Sequence, residues 1–301
     1  MIMGARIKAK VVRIAGGLCW ADPGDGREPI QCLARGKVKK RAEGVMVGDE
    51  VMVSLAGDDA TGVLEEVLPR RNQLARPAVA NCDQAVVVCS VSQPSPNVSL
   101  VERILVQALY QGLQACVVFT KADLAPESDY AHLVETYRGA GFTTLVTSAR
   151  TGRGVPEVRK VLQGVTSVFA GPSGAGKSAL LNAVHPGYGL VEGDVSRKIG
   201  RGRHTTREVR LLPLDGSGYV ADTPGFSVLD ISTMELPELA QVYPDIRRHA
   251  EGCRFTGCLH QAEPDCAVKK AVEEGLINPV RYEHYTVLLD ELRQMHRDRY
   301  R

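Results

Sequence analysis

A glycine-rich stretch near the middle of the chain has the residue types and spacing that bind phosphate groups. Glycines let successive backbone N–H groups turn toward phosphate oxygens, and a helix that begins directly after them adds its partial positive charge. The lysine would reach the outer phosphates of a nucleotide, and the serine after it would ligate Mg²⁺. The stretch consists of Gly171, Pro172, Ser173, Gly174, Ala175, Gly176, Lys177 and Ser178, and we expect Ala179 to line the same site.

The sequence on both sides of this stretch favours a phosphate-binding loop. It follows the apolar strand TSVFA and opens the helical sequence SALLNAV, which is the strand, loop and helix order that such loops require. With both elements in place, a glycine-rich turn without a ligand is the weaker alternative. A phosphate-binding loop alone also fits ATPases and kinases, so the base must be inferred from other motifs.

Two motifs that follow strands indicate guanine. The sequence TKAD follows the strand ACVVF, and the carboxylate of Asp123 could accept hydrogen bonds from both N1–H and N2–H₂ of guanine. Adenine offers no such pair of donors. The pair SA follows the strand TTLVT, where a backbone N–H could donate to the guanine carbonyl. The expected base-binding residues are Thr120, Lys121, Ala122, Asp123, Ser148 and Ala149.

A third motif, DTPG, follows the strand GYVA and is expected to contact Mg²⁺ and the terminal phosphate. Asp222 could hold Mg²⁺ through water, and the amide of Gly225 could contact the γ-phosphate. The motif is weak by itself.

The order of these motifs resembles that of the circularly permuted GTPases. Ordinary small GTPases run phosphate loop, switch threonine, DxxG, NKxD and SA, whereas this chain runs TKAD, SA, phosphate loop, GRHTT at 202–206, and DTPG. Within this class the chain resembles the ribosome small-subunit-dependent GTPase family, RsgA, over nearly its whole length. The sequences RRNQLARPAVANCDQ and GRGRHTT are part of the resemblance.

The resemblance implies a function, cofactors and a partner. Members join an OB-like barrel, a permuted GTPase domain and a C-terminal zinc-binding region. The implied activity is hydrolysis of GTP to GDP and phosphate with Mg²⁺, stimulated by the small (30S) ribosomal subunit. The implied partners are that subunit and its ribosomal RNA, and the implied role is late maturation of the subunit.

Two residues depart from the common GTPase pattern. Thr120 stands where asparagine is frequent, which removes an amide that would brace the loop and contact the base, although a threonine hydroxyl can also brace a loop. Phe226 stands where many GTPases have a glutamine that orients water, which a phenyl ring cannot do. We therefore expect slow hydrolysis by the protein alone.

The switch sequence supplies the remaining candidates for catalysis. We expect His204 to assist hydrolysis, with contact to RNA or solvent as an equal alternative. Either Thr205 or Thr206 is expected to ligate Mg²⁺. The surrounding segment 197–210 holds six basic residues and one acidic residue, which suits a polyanionic partner, although a solvated basic loop is the alternative.

A cysteine and histidine cluster near the end of the chain predicts a structural zinc site. The pattern C-x₄-C-x-H-x₅-C fills all four positions of a tetrahedral Cys₃His site, so no position remains open for catalysis. Buried thiols beside a chance histidine are the alternative. Such a site would hold a short helical segment that lacks a core of its own. The four ligands are Cys253, Cys258, His260 and Cys266.

The elements that must position these residues divide into three predicted domains. Residues 1–68 predict an all-β, OB-like barrel that binds RNA, with a basic sequence at 35–41 and Trp20 as a stacking aromatic. Residues 69–77 are interpreted as a linker that opens the second domain. Residues 69–235 alternate strands and helices, which predicts an α/β GTPase domain with a parallel sheet. Residues 236–301 predict a small helical zinc-binding domain.

Composition restricts the class of protein. The 301 residues are 44% hydrophobic and 24% charged, as in a globular protein, and no stretch approaches the roughly 18 apolar residues of a membrane span. The N-terminal residues lack the apolar block of a signal peptide. We expect a cytoplasmic monomer without membrane contact, and buried free thiols at the other five of the eight cysteines.

Two other classes of function stay open at this point. The protein could be an RNA-binding regulator of translation or assembly in which nucleotide acts mainly as a conformational switch. It could also be a P-loop enzyme that uses ATP, in which case ATP rather than GTP would compete for the site.

Overall fold

A five-stranded barrel forms the N-terminal part of the protein. The computed structural model describes residues 6–39, 44–55, 61–75, 77–190, 209–215, 217–222, 231 and 233–299. The barrel strands pair in the order β1-β2-β3-β5-β4, and β4 pairs again with β1, which closes the barrel. All of these pairs are antiparallel except β3 with β5. The strands are β1 (Arg6–Ala15), β2 (Leu18–Asp22), β3 (Ile30–Ala34), β4 (Glu50–Leu55) and β5 (Thr61–Val67).

The barrel confirms the predicted fold but differs from the sequence prediction in two places. Strand β2 has little signal in the sequence because its alternation is short: Cys19 and Ala21 are its two buried residues. Part of the predicted basic sequence at 35–41 forms a short helix, α1 (Gly36–Lys39). Trp20 is half-buried against the core, with the Arg13 guanidinium 4.6 Å from its ring centroid.

The central sheet continues directly from the barrel. Its order is β10-β9-β8-β11-β13-β12, and only β12 runs antiparallel to its neighbour. Strands β8 and β11 are buried along their whole length, as expected of parallel strands covered on both faces. The strands are β8 (Gln84–Ser90), β9 (Gln114–Thr120), β10 (Thr143–Val146), β11 (Thr166–Ala170), β12 (Arg210–Pro213) and β13 (Tyr219–Asp222).

Helices cover both faces of this sheet and follow its parallel strands in the chain. This alternation confirms the predicted α/β class. The helices are α2 (Val98–Tyr110), α3 (Glu127–Gly139), α4 (Val155–Leu162) and α5 (Lys177–Val184), with a 3₁₀ turn at Pro186–Tyr188.

The segment between the barrel and the central sheet is a fixed joint and not the linker that its sequence indicates. It contains the two-stranded pair β6 (Gln73–Leu74) and β7 (Val79–Ala80). Arg70 donates to both carboxylate oxygens of buried Asp49, at 2.7 and 3.0 Å. The Asn81 amide donates to Gly48 O at 3.0 Å. These polar side chains bind the barrel, so a composition typical of a linker belongs here to an ordered structure.

Contacts between strands join the two parts into one sheet of eleven described strands. Strand β1 pairs with β12 at Arg13 and Arg210. Beside this pairing, the Lys10 ammonium donates to Thr166 Oγ1 at 2.8 Å.

The C-terminal part is helical and packs around a large apolar core, so the expectation of a segment without a core is wrong; Val106 of α2 also belongs to this core. Its helices are α6 (Leu236–Gln241), α7 (Pro244–Ala250), α8 (Ala267–Glu273) and α9 (Pro279–Arg299). None of the helices in the described ranges is both long enough and apolar enough to cross a bilayer.

A buried ion network attaches this helical part to the central sheet. Arg281 of α9 binds Glu102 of α2 and Asp245 of α7, and all three residues are at most 3% exposed.

Candidate functional site

The phosphate loop lies between β11 and α5, as the sequence predicts. Its three glycines have positive φ angles of 142° at Gly171, 77° at Gly174 and 91° at Gly176. A Cβ at Gly171 would also lie 2.1 Å from Val88 O. Because other residues avoid such angles and no side chain fits at 171, glycine is required there. Helix α5 begins at Lys177, which places its free N–H groups at the loop.

Lys177 folds back over the loop that precedes it. Its ammonium donates to Gly171 O and Pro172 O, each at 2.8 Å. Burial lowers the pKa of this lysine to about 8. A phosphate group beside the ammonium would favour the charged form. Ser178 is buried in the first turn of the helix, followed by Ala179.

The two predicted guanine motifs meet at the carboxyl ends of β9 and β10. Asp123 Oδ1 accepts a hydrogen bond from the Ser148 hydroxyl at 2.5 Å, and Oδ2 accepts one from Arg150 Nε at 2.7 Å. The Ser148 hydrogen bond is the main cause that holds the pKa of Asp123 below its usual range, and Arg150 adds to it. Asp123 is therefore an ionised acceptor, as recognition of guanine requires.

Arg150 is the residue of this group that sequence reasoning missed. Its side chain is 73% exposed and directly follows the SA pair. Its place directly after the SA pair is the only feature of the sequence that could have indicated its role, because a single exposed arginine forms no distinctive pattern.

The guanine loop also touches the phosphate loop. Thr120 donates through its hydroxyl to Ala175 O. Lys121, which has a positive φ of 61°, donates to Gln93 O. Ala122 and Ala149 lie in the same two loops, so the predicted base-binding residues and the phosphate loop come together at one edge of the sheet.

The residues expected to complete catalysis lie mostly outside the described residues. These are His204, Thr205, Thr206 and Gly225, and Phe226, which replaces the water-orienting glutamine, also lies outside the described residues. Asp222 is the last residue of β13, which pairs with the strand that leads into the phosphate loop.

The cysteine and histidine cluster has the geometry of a tetrahedral metal site. The ligand atoms of Cys253, Cys258, His260 and Cys266 all lie within 4.8 Å of one another. His260 Nδ1 is 3.5 Å from two of the sulfurs, and the sulfurs of Cys253 and Cys266 are 3.9 Å apart. Zinc bonds of about 2.3 Å to sulfur and about 2.0–2.1 Å to nitrogen put tetrahedral ligand atoms about 3.5–3.8 Å apart.

Electrostatics in this cluster also fit a cation. Burial raises the pKa of the Cys258 thiol to about 12, so three thiolates here need a compensating positive charge. Glu263 fixes the ligand loop by accepting hydrogen bonds from the N–H groups of Leu259 and Gln261 at 2.9 and 3.1 Å. Bound Zn²⁺ would cross-link the loop, with all four positions filled by protein.

Fold and site together define a circularly permuted P-loop GTPase. The loops that carry the guanine motifs come before the phosphate loop in the chain but beside it in space. Residues 67–232 match the family model described as RsgA GTPase. The chain belongs to the RsgA GTPase family and is a GTP-hydrolysing enzyme. Because it is a GTPase, its nucleotide is GTP or GDP and its ion is Mg²⁺.

Similar proteins agree with this assignment over most of the chain. A protein of Moorella thermoacetica is 45% identical over 261 residues, which are 87% of this chain and 89% of the relative. One of Caldanaerobacter subterraneus subsp. tengcongensis is 42% identical over 296 residues, 98% of this chain and 99% of the relative. Both are named Small ribosomal subunit biogenesis GTPase RsgA.

Two solved structures share the fold. The crystal structure of YjeQ from Thermotoga maritima superposes with a TM-score of 0.83 and 37% identity, over 96% of this chain and 99% of that one. YloQ, a circularly permuted GTPase, superposes with a TM-score of 0.82 and 36% identity, over 97% of both chains. The resemblance inferred from the sequence motifs is confirmed.

Proposed function

We propose that this GTPase binds the small ribosomal subunit and its ribosomal RNA and acts in late maturation of that subunit, which stimulates its hydrolysis of GTP. The observation that carries the proposal is the joining of a guanine-nucleotide site and an OB-like barrel in one continuous sheet. The names of the relatives, which give small-subunit biogenesis as their role, support the same conclusion.

The nucleotide site is proposed to work through the residues that the motifs single out. The phosphate loop and Lys177 bind the phosphates, and Ser178 ligates Mg²⁺. Asp123 recognises guanine as an ionised acceptor, because its carboxylate is already held in that form by Ser148. The backbone N–H of Ala149 in the SA loop donates a hydrogen bond to the guanine carbonyl.

The switch residues complete this proposal. Asp222 holds Mg²⁺ through water and Gly225 meets the γ-phosphate. One of Thr205 and Thr206 ligates Mg²⁺, and His204 assists attack by water.

The rest of the molecule is assigned to positioning and to partners. We infer three domains, at 1–68, 69–235 and 236–301, with one structural Zn²⁺ in the third. A monomer in the cytoplasm suits a protein that acts on a ribosomal subunit. The ring of Trp20 is half-buried and covered by Arg13, so we do not assign base stacking to it. RNA contact is assigned instead to the charged surface of the barrel and to the zinc domain.

The test is GTP turnover with and without purified small subunits, using large subunits as the partner control and Ser178→Ala as the inactive enzyme. We expect a large stimulation by small subunits alone. Equal rates with and without small subunits would refute the stimulation. Nucleotide-dependent binding to small subunits without stimulated turnover would instead favour the RNA-binding regulator.

A further inference from the structure

A groove in the C-terminal part lies beside the loop that carries the metal ligands, residues 253–266, which we call the metal loop. Its volume is about 620 Å³, within the range of about 300–1,000 Å³ that is usual for ligand sites in proteins. Residues of α6, α7 and the metal loop line it. Those with aromatic or charged side chains are Arg247, Arg248, Glu251, Phe255 and His260.

An exposed aromatic ring lies in this groove. Phe255 is 44% exposed, although it stands between the metal ligands Cys253 and Cys258. Among the large hydrophobic side chains that are exposed in the described part of the chain, only Phe255 is aromatic. The guanidinium of Arg254 lies 5.4 Å from the ring centroid. An exposed ring with a cation beside it is suited to stack on a nucleic acid base.

Two arginines without an acidic partner line the same groove. Arg247 and Arg248 lie in the last turn of α7, and both are exposed. Within the described ranges, neither guanidinium has an ion-pair partner or a hydrogen bond. Glu251 is the one acidic residue among those that line the groove in the described structure. These guanidinium groups are therefore available for an anion, and phosphate is the anion that arginine binds best in nucleic acids.

The ring and the arginines together match a single unstacked nucleotide of RNA. The ring stacks on the base, and a guanidinium binds the adjoining phosphate. A base inside an RNA helix is already stacked on its neighbours, so it cannot present its face to a ring within a groove. An acidic protein segment would bind the arginines but would leave the ring without a partner.

We propose that this groove binds one unpaired nucleotide of ribosomal RNA, with the base stacked on Phe255 and the phosphate bound by Arg247 and Arg248. The proposal rests on the proposed function, which assigns RNA contact to the zinc domain, and it gives that contact a place and a chemistry. Affinity for single-stranded RNA should then depend on the ring of Phe255, whereas affinity for duplex RNA should not.

The first experiment locates the contact. The zinc-loaded protein is mixed with a single-stranded RNA of about 12 nucleotides that contains 4-thiouridine, is irradiated, and is digested for mass spectrometry. GDP is present so that RNA bases do not occupy the nucleotide site. We expect cross-links to the metal loop at Phe255, which duplex RNA of the same sequence should not give. Cross-links confined to the barrel would overturn the proposal.

The second experiment measures affinity by fluorescence anisotropy with the same two RNAs. Phe255→Ala removes the ring, and Phe255→Trp keeps an aromatic face. Leu276→Ala is the matched control, since Leu276 is 60% exposed in the same part of the protein and does not line the groove. Arg247→Gln removes one of the two cations that have no partner.

We expect Phe255→Ala to weaken single-stranded RNA binding about tenfold, as for the loss of one stacked base. Phe255→Trp and Leu276→Ala should stay within about twofold of the parent, and duplex affinity should change little in any of the three. Arg247→Gln should reduce the slope of log affinity against log salt by about 0.7, the value for one phosphate contact on a single strand. An unchanged affinity in Phe255→Ala, or an equal loss for duplex RNA, would overturn base stacking.

Zinc content and thermal unfolding are measured for each variant, because Phe255 lies between two metal ligands. If Phe255→Ala loses zinc, Phe255→Leu replaces it with the same expectations, since leucine is apolar and has no ring. A labelled oligoglutamate that binds the parent but not Arg247→Gln, without RNA cross-links at Phe255, would overturn the proposal in favour of an acidic protein partner.

The test separates this proposal from the proposed function. No ribosomal subunits are added, so the outcome does not depend on stimulated GTP turnover. A parent protein that binds neither RNA would count against the proposed function and with it against the groove. RNA binding by the parent that is unchanged in Phe255→Ala would overturn only the groove.

Discussion

Replacing Arg281 by methionine should strongly destabilise the attachment of the helical C-terminal part. The guanidinium is 1% exposed and donates to both oxygens of Glu102 at 2.9 Å. It also donates to the two oxygens of Asp245 at 2.7 and 2.8 Å. Three aromatic rings surround it at 5.0 to 5.8 Å from its central carbon: Tyr137, Phe142 and Tyr243.

The size of the effect follows from the charges that Arg281→Met leaves behind. Two carboxylates would stay buried without a cation, and removing one partner of a buried ion pair costs about 3–5 kcal/mol of unfolding free energy. The matched control is Arg138→Met, another helical arginine, whose pair with Glu135 is more than half exposed on both sides. An exposed helical pair three residues apart contributes about 0.2–0.5 kcal/mol.

The loss should also depend on pH. Burial raises the pKa of Glu102, while Arg281 lowers it, so removing the arginine raises that pKa further. A carboxyl group with a raised pKa in the folded state binds its proton more tightly there than in the unfolded chain. The loss of unfolding free energy in Arg281→Met therefore grows as pH rises above the ordinary pKa of a glutamate. It becomes smaller as pH falls toward that pKa, where the carboxyl group takes up its proton.

The assay is urea unfolding followed by circular dichroism of the zinc-loaded protein, at about pH 8 and at about pH 5.5, which lies closer to the ordinary range of a glutamate. We expect a large loss in Arg281→Met at the higher pH and a smaller one at the lower pH. Equal stability of Arg281→Met and Arg138→Met would refute the reasoning, and a loss independent of pH would show that the carboxylates are not its cause.

Three further changes test the nucleotide and metal sites. Asp123→Asn should shift preference from GTP toward the xanthine nucleotide, because an amide can donate to the xanthine oxygen; in competition binding, retained GTP preference would contradict base recognition by Asp123. The parent protein should contain about one zinc per chain by elemental analysis, and Cys258→Ser should lose it while Cys116→Ser, a buried thiol outside the cluster, should not. GDP affinity should be highest below about pH 8 and fall as pH rises through the pKa of Lys177, because the phosphate binds the charged amine. Lys177→Arg should make GDP affinity independent of pH in this range, because a guanidinium does not titrate near pH 8. An identical pH profile of GDP affinity in the parent and in Lys177→Arg would contradict this role of Lys177.

The sequence predicts best those features whose signal is local. Strands β8, β9 and β11 are apolar runs because both faces are covered, and the phosphate loop and the metal ligands each lie within one short segment. Helix α3 has only a weak signal, since its sequence ESDYAHLVETYRG is mostly polar and four of its thirteen residues are buried. Strand β2 has only five residues, so its alternation of buried and exposed residues is too short to predict a strand.

Features that depend on contacts between distant residues could not be predicted from the sequence. The Thr120 hydrogen bond spans 55 residues and that of Arg281 to Glu102 spans 179. Each residue alone is compatible with an ordinary surface position. The ordered structure within the predicted linker at 69–77 is missed for the same reason, because Asp49, the partner of Arg70, lies 21 residues away. Polar residues whose partners are distant look like solvent-exposed ones.

The pairing of β1 with β12 has a consequence for any attempt to divide the protein. In the intact chain the barrel covers the outer edge of β12, next to Arg210. A truncated protein that begins after the barrel would expose this edge, with N–H and C=O groups free to pair with another chain. Removing the barrel would therefore turn a protected edge into a site of self-association.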